Sequence, residues 1–214
     1  MKVGRPPATR QQVAETRSAL LDVAQRLYEE AGVEGMSFRA IASAYGCSYS
    51  MPYTYFASKA ALIDGLRLRV YRWLQDVLED AAASTADPIE ALEAIARAYV
   101  RAGLSRPRFY ELLYSNAGSI AEDDPAFLDA KLGALNVCRD AIVAAARAAG
   151  QELVTDPDTA AHLFWVAAHG LVSLEHGGFL VAGRTSDQVL SELFQVMARG
   201  IVVEPADVTA RSRG

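Results

Sequence analysis

Little in this 214-residue chain is equipped for covalent chemistry. Two cysteines, Cys47 and Cys138, stand far apart with no histidine or cysteine beside either. That excludes a disulfide framework and fits a reduced compartment, leaving a redox-sensing thiol at Cys47 as the one alternative use. The three histidines, His162, His169 and His176, recur at seven-residue spacing on one helical pattern. Two helical turns put roughly 10.5 Å between neighbours, so no two can reach the same metal ion. Nucleophile elbows, H-E-x-x-H, glycine-rich phosphate loops and convergent acid pairs are missing from the sequence. No enzyme, cofactor or metal is expected. The greasiest run, Leu163 to Leu174, covers twelve residues around His169, short of the roughly 20 needed to cross a bilayer. The opening MKVGRPPATR is basic but has no apolar centre, so it does not read as a secretory signal. A cytoplasmic protein without a membrane partner is expected.

Acids are also unevenly missing. Residues 1–72 hold ten Lys/Arg against six Asp/Glu, a balance of +4, whereas 73–214 hold eleven against twenty, a balance of −9. Together these make the net −5 of the whole chain. A cationic end joined to an acidic remainder suits a protein that meets a polyanion with one end and turns the other away.

What is present is helix. No stretch alternates with period two, so an all-α protein of about nine helices without a sheet is expected. Val13, Leu20, Leu21, Ala24, Leu27, Tyr28 and Ala31 make one stripe of a helix over Gln11–Gly32. The residues 37–62, SFRAIASAYGCSYSMPYTYFASKAAL, contain two short helical patterns separated by Gly46, with a third opening at Ser58. Ser37 is placed to cap the first, Gly46 to supply a left-handed turn, and Ser48 to cap a second that runs to about Phe56. Short helix, glycine turn, short helix is a helix-turn-helix signature. Tyr49, Ser50, Tyr53, Thr54 and Tyr55 give the second helix a hydroxyl-rich face, and no acid lies between Ile41 and Ile63. Such a face suits phosphate oxygens and base edges, which carboxylates would repel. Lys59 beside the capped start of the third helix adds a cation where free amides already favour an anion.

Phe38–Ile41–Ala42, Gly46, Ser48, Tyr53, Phe56, Lys59 and Leu62 together resemble the N-terminal signature of the tetracycline-repressor (TetR) family of transcription regulators, over about Val13 to Tyr71. The resemblance implies a recognition helix around Tyr49, with Tyr49, Ser50 and Met51 where the family reads bases. It likewise implies phosphate contacts for Tyr53, Tyr55 and Lys59. Pro52 stands where leucine is common, and Tyr49 where a smaller or basic residue is common. Trp165-x-x-x-His169-Gly170 resembles the W-x-x-x-H-G signature of one C-terminal domain type in that family.

The organisation expected is a flexible basic arm over 1–10, a three-helix helix-turn-helix domain over 11–57, a helical domain over 58–203 and a disordered tail over 204–214. A long helix from Lys59 to about Ala83 joins the two domains without a loop. Further helix starts stand at Asp87-Pro88, Ser105-Arg106-Pro107, Asp124-Pro125, Asp156-Pro157 and Thr185-Ser186-Asp187-Gln188. The last two helices are apolar on more than one face, through Leu163, Phe164, Leu171 and Leu174 and through Leu190, Leu193, Phe194 and Val196. They read either as central core helices or as the pair that joins two copies in a four-helix interface. The resemblance implies a homodimer through them. Tyr99, Phe109, Tyr110, Leu113, Tyr114, Phe127 and Trp165 are candidates to line a pocket for an apolar or aromatic effector, with Asn116, Asn136 and Arg139 as polar anchors. His169 is read as a hydrogen-bonded core histidine or as an effector contact. The function expected is a ligand-responsive repressor of double-stranded operator DNA. The alternative is a helical small-molecule-binding protein or enzyme without specific DNA binding.

Overall fold

A computed structural model describes residues 9–115, 118 and 124–203. The arm over 1–8, Asn116 and the tail over 204–214 lie outside the described residues. Nine α-helices follow one another: α1 (Arg10–Gly35), α2 (Phe38–Tyr45), α3 (Met51–Tyr55), α4 (Lys59–Ala82), α5 (Pro88–Ser105), α6 (Pro107–Glu111), α7 (Pro125–Ala148), α8 (Pro157–His176) and α9 (Ser186–Ile201). A single 3₁₀ turn, Leu112–Tyr114, follows α6. Among the described residues the one strand pairing is an antiparallel contact of Glu152–Leu153 with Val202–Val203, two residues a side and too short to leave a period-two pattern.

Local chemistry explains most of the helix ends. Thr9 and Gln12 close a reciprocal capping box at the start of α1, so Thr9 and Arg10 belong to a helix rather than to the arm. Gly32, with φ 66°, breaks the helical path, yet the chain resumes helical hydrogen bonding to Gly35. Asp87, Asp124 and Asp156 each accept amide hydrogen bonds ahead of a proline in the first turn. Thr185 and Gln188 exchange side-chain-to-amide bonds at the start of α9.

Two compact units emerge, and the division falls inside α4. The first comprises Met1–Val70 with Arg108–Glu122, the second Tyr71–Pro107 with Asp123–Gly214. The first unit is therefore wider than the expected 11–57. Its core holds Leu20, Met36, Ile41, Leu62, Leu66 and Leu112, all essentially inaccessible. It also buries one charged pair, Asp64 and Arg67, 3.7 Å apart. In the second unit α7 packs on α8 and α5, and α8 also packs on α5 and α9. Leu92, Leu135, Ile142, Ala160, Ala161 and Phe164 form its core, flanked by Cys138, Trp165, Phe194 and Met197. No helix among the described residues is long and apolar enough to cross a membrane.

Candidate nucleic-acid interface

Helices α2 and α3 are set by a few local devices. The Ser37 hydroxyl accepts from the Ala40 amide at 3.1 Å and starts α2. Gly46 ends it in a left-handed conformation, φ 80°, while its amide returns to the Ala42 carbonyl. α3 begins later than Ser48 allows, and Pro52 is the reason. A helix capped at Ser48 needs the amide of residue 52 to reach the Ser48 carbonyl, and proline has none. The Met51 amide takes that carbonyl in a tight turn instead, and α3 starts at Met51. The Ser48 and Ser50 hydroxyls then lie 3.2 Å from each other, and neither serves as a helix cap. Tyr49 and Ser50 occupy the turn ahead of α3, and the helix closes at Tyr55 rather than Phe56.

The short helix is anchored from within. Pro52 and Phe56 are buried, and the Tyr53 ring meets Phe38 edge-on at 4.5 Å. Outward, Tyr49 and Tyr53 are 58% and 63% exposed, with Ser48, Ser50 and Thr54 exposed beside them and Met51 and Tyr55 half-buried. Thr54 turns its hydroxyl back to the Met51 carbonyl at 2.7 Å, so its oxygen faces the surface as an acceptor. The first acid after this stretch, Asp64, is buried beside Arg67 and offers no carboxylate to the surface.

Ser58 caps α4, accepting from the Ala61 amide at 3.0 Å. Lys59 is exposed, and its ammonium donates to the Val33 carbonyl at 2.6 Å, just past the Gly32 break. One of its three donors is thereby engaged across 26 residues of chain. Arg108 does related work on the same stretch, donating to the Glu29 and Glu30 carbonyls. Burial holds the nearby Tyr28 hydroxyl above its usual pKa, with Glu111 adding to the shift and Arg108 opposing it.

One side chain at this surface escaped the sequence reading. The Arg39 guanidinium lies over the Tyr49 ring, 5.3 Å from its centroid. A cation–π contact across a turn leaves no periodic mark. The only signal was an arginine in the first turn of the helix preceding the hydroxyl-rich one.

The candidate effector residues fall in both compact units. Phe109, Tyr110, Leu113 and Tyr114 belong to the first unit, where the first three are buried and Tyr110 and Tyr114 pack ring to ring at 5.7 Å. Tyr99, Phe127, Asn136, Arg139, Trp165 and His169 belong to the second. There the Trp165 indole N–H donates to the Tyr99 hydroxyl at 2.8 Å, and Tyr71 meets the buried Phe127 edge-on at 5.5 Å. Asn136 is half-buried. Arg139 pairs with the exposed Asp140 and Asp158 at 3.0 and 3.5 Å, contacts that solvent screens. His169 is half-buried with Nε2 3.4 Å from the Ser173 hydroxyl, and burial, then the charge of His176, pushes its pKa down. No group of residues suited to a metal ion occurs among the described residues. Burial raises the Cys138 thiol to about 12, which keeps it protonated and inert.

On α8, Leu163, Val166 and Leu174 are 44%, 70% and 44% exposed, and on α9 Val196 is 66% exposed. At intervals of three and eight residues, the α8 side chains share one face of the helix.

A family model described as the tetracyclin repressor-like C-terminal domain matches residues 92–201, and one described as bacterial regulatory proteins of the tetR family matches residues 20–66. The W-x-x-x-H-G type itself rests on the six residues Trp165–Gly170. Over 84 residues the chain is 33% identical to the HTH-type transcriptional repressor KstR2 in two strains of Mycobacterium tuberculosis, 39% of this chain and 42% of that one. The chain thus spans about two-fifths of the length of the curated relatives it matches. Among solved structures it is similar to a protein of unknown function from Rhodococcus sp. RHA1, with TM-score 0.76 and 24% identity over 95% of this chain and 100% of that one. It is also similar to the ketosteroid transcriptional regulator KstR2 of Mycobacterium tuberculosis, with TM-score 0.58 and 22% identity over 88% of this chain and 96% of that one. At these identities the likeness to solved structures is one of fold.

Proposed function

The chain belongs to the tetracycline-repressor family of transcription regulators, and from that premise we propose a cytoplasmic, ligand-responsive repressor that binds operator DNA as a homodimer. The observation that carries the reading is the exposed, hydroxyl-bearing surface of Tyr49, Ser50, Tyr53 and Thr54 on a stretch with no exposed acid. Tyr49, Ser50 and Met51 address base edges, while Tyr53, Tyr55 and Lys59 address phosphates, with Ser37 and Ser48 at the margins. The remaining ammonium donors of Lys59 are available to a phosphate while one holds Val33.

Two copies associate through α8 and α9, where exposed Leu163, Val166, Leu174 and Val196 support a dry contact with a second chain. The two reading surfaces then enter successive major grooves, roughly 34–36 Å apart or a multiple of that. A small apolar or aromatic effector binds in the second unit near Tyr99, Phe127 and Trp165 and favours a state in which the spacing is lost. The difference between its affinities for the two states sets how far occupancy falls. Continuous α4 is the proposed lever. The relatives matched over 84 residues are transcriptional repressors, which supports that sense of regulation.

The test is a mobility shift on the duplex flanking the protein's own gene, against a scrambled duplex of equal length, with a panel of apolar and aromatic small molecules. Preferential retention of the flanking duplex, and its release by at least one compound, is expected. Equal retention of both duplexes would sink the operator reading, and affinity indifferent to the whole panel would sink the effector.

A further inference from the structure

Helix α1 ends with the wrong charges for its position. Glu29, Glu30 and Glu34 crowd its C-terminal stretch, and its last turn holds no basic residue. Carboxylates there add to the negative end of the helix dipole. Gly32, with φ 66° and ψ −160°, also breaks the helical path inside this stretch. Carbonyls ahead of a helix end are the ones left without an internal partner. Two cations reach the stretch from other parts of the first unit. Arg108 Nη1, on α6, donates to the Glu29 carbonyl at 2.9 Å and to that of Glu30, across 79 and 78 residues of chain. Lys59 Nζ, on α4, donates to the Val33 carbonyl at 2.6 Å, across 26 residues. One cation thus grips the chain before Gly32 and the other grips it after. Both act on backbone carbonyls, so they fix the path of the chain as well as offset its charge.

We propose that Arg108 is a positioning residue for DNA binding: by holding the broken end of α1, it lets Lys59 share its ammonium between Val33 and a phosphate. The inference rests on the phosphate role of Lys59 given above and adds a residue that itself touches no DNA. While Arg108 is in place, its charge offsets part of the field of Glu29, Glu30 and the carbonyls. Without it, that field falls more heavily on the Lys59 ammonium and draws it inward, off the phosphate. Three roles for Arg108 then separate experimentally. An arginine that only stabilises the fold leaves the salt dependence of binding alone. An arginine that touches phosphate lowers that dependence independently of Lys59. An arginine that acts through Lys59 lowers it only while Lys59 is present.

Affinity for the flanking duplex and for its scrambled counterpart is measured over a salt series, with thermal melts confirming that each variant is folded. Lys59→Ala is expected to lose about two- to tenfold on both duplexes, as for one ordinary hydrogen bond, and to lower the salt slope by up to about one. Arg108→Ala loses affinity and slope in the same way. In the Lys59→Ala background it costs less than about twofold more, because the two residues act as one unit. Arg108→Lys, which still brings a cation to the carbonyls, recovers most of the loss. Should the alanine variant melt below the assay temperature, Arg108→Gln removes the charge and is expected to show the same non-additive loss. Losses and slopes that add in the double variant would make Arg108 a direct phosphate contact and overturn the positioning role. So would an Arg108→Ala variant with wild-type slope. Lys59→Ala with affinity and slope intact overturns the phosphate role of Lys59, and this inference with it.

Discussion

Two surfaces of this molecule leave large apolar groups in water, and they do so with different chemistry. Around α3 the exposed groups are tyrosines, Tyr49 and Tyr53, each with a hydroxyl at its outer end. On α8 and α9 they are aliphatic: Leu163, Val166, Leu174 and Val196. A tyrosine is comfortable at a wet, charged contact, where its ring packs and its oxygen bonds. A bare aliphatic row gains only by being covered with something equally apolar. The contrast supports the proposed division between a surface that meets a polyanion and one that meets protein. The interiors differ in the same sense, since the first unit buries Asp64 with Arg67 whereas the core cluster of the second is apolar.

The largest expected effect tests the buried pair. Asp64→Ala leaves the Arg67 charge without this carboxylate in a site where both side chains are 4% exposed. A loss of about 3–5 kcal/mol in unfolding free energy is expected, read by urea denaturation. A loss under about 1 kcal/mol would mean that the pair is solvated and the two interiors are alike.

Next comes the aliphatic row. Val166→Asp is expected to weaken self-association by about 2 kcal/mol or more, roughly thirtyfold or greater, as at a central interface position. Sedimentation over a concentration series reads it, and an unchanged association constant would remove α8 from the interface.

Smaller again is the tyrosine surface. Tyr53→Phe keeps the contact with Phe38 and should lower affinity for all duplexes alike, by about tenfold or less, as loss of one ordinary solvent-exposed hydrogen bond does. Tyr53→Ala also gives up the ring pair, worth about 0.5–1.5 kcal/mol. If Tyr53→Phe instead altered which sequence is preferred, Tyr53 would be a base reader.

The smallest effect concerns His169. Its folded-state pKa lies below the ordinary value of about 6.5, because burial and the neighbouring His176 disfavour the charged ring. The unfolded chain therefore binds its proton first as pH falls. Stability is full above about pH 6.5 and declines below it until the folded form also protonates. His169→Gln should flatten part of that decline in thermal melts between pH 7 and 5, and an unchanged slope would assign it to other groups.

Most of the helical plan was legible because its signals are local. Asp87, Asp124, Asp156, Ser58 and Thr185 sit within three residues of the amides they cap, and that chemistry reads directly off the chain. The start of α3 was misplaced although its cause is also local: Pro52 has no amide to return to the Ser48 carbonyl, so a helix begun at Ser48 lacks its first helical hydrogen bond. Distant pairings were invisible. Nothing near Lys59 announces Val33, nothing near Arg108 announces Glu29, and nothing near Arg39 announces Tyr49. The grouping of Arg108–Glu122 with the N-terminal helices is of the same kind. At the candidate interface, the hydroxyl-rich composition was readable, whereas the second task of Lys59 and the presence of Arg39 needed the fold.

Helix α3 is five residues long, far below the length at which a helix holds itself together in water. Its shape is borrowed from Pro52, Phe56 and the Phe38 contact, all directed inward, while Tyr49, Ser50 and Tyr53 look out. Tyr53 does both, packing on Phe38 while it stays largely exposed, whereas Pro52 and Phe56 only hold and Tyr49 and Ser50 only face out. On the proposed reading, a lineage built on this arrangement rewrites its target DNA by exchanging a few outward residues and need not refold the scaffold to do so.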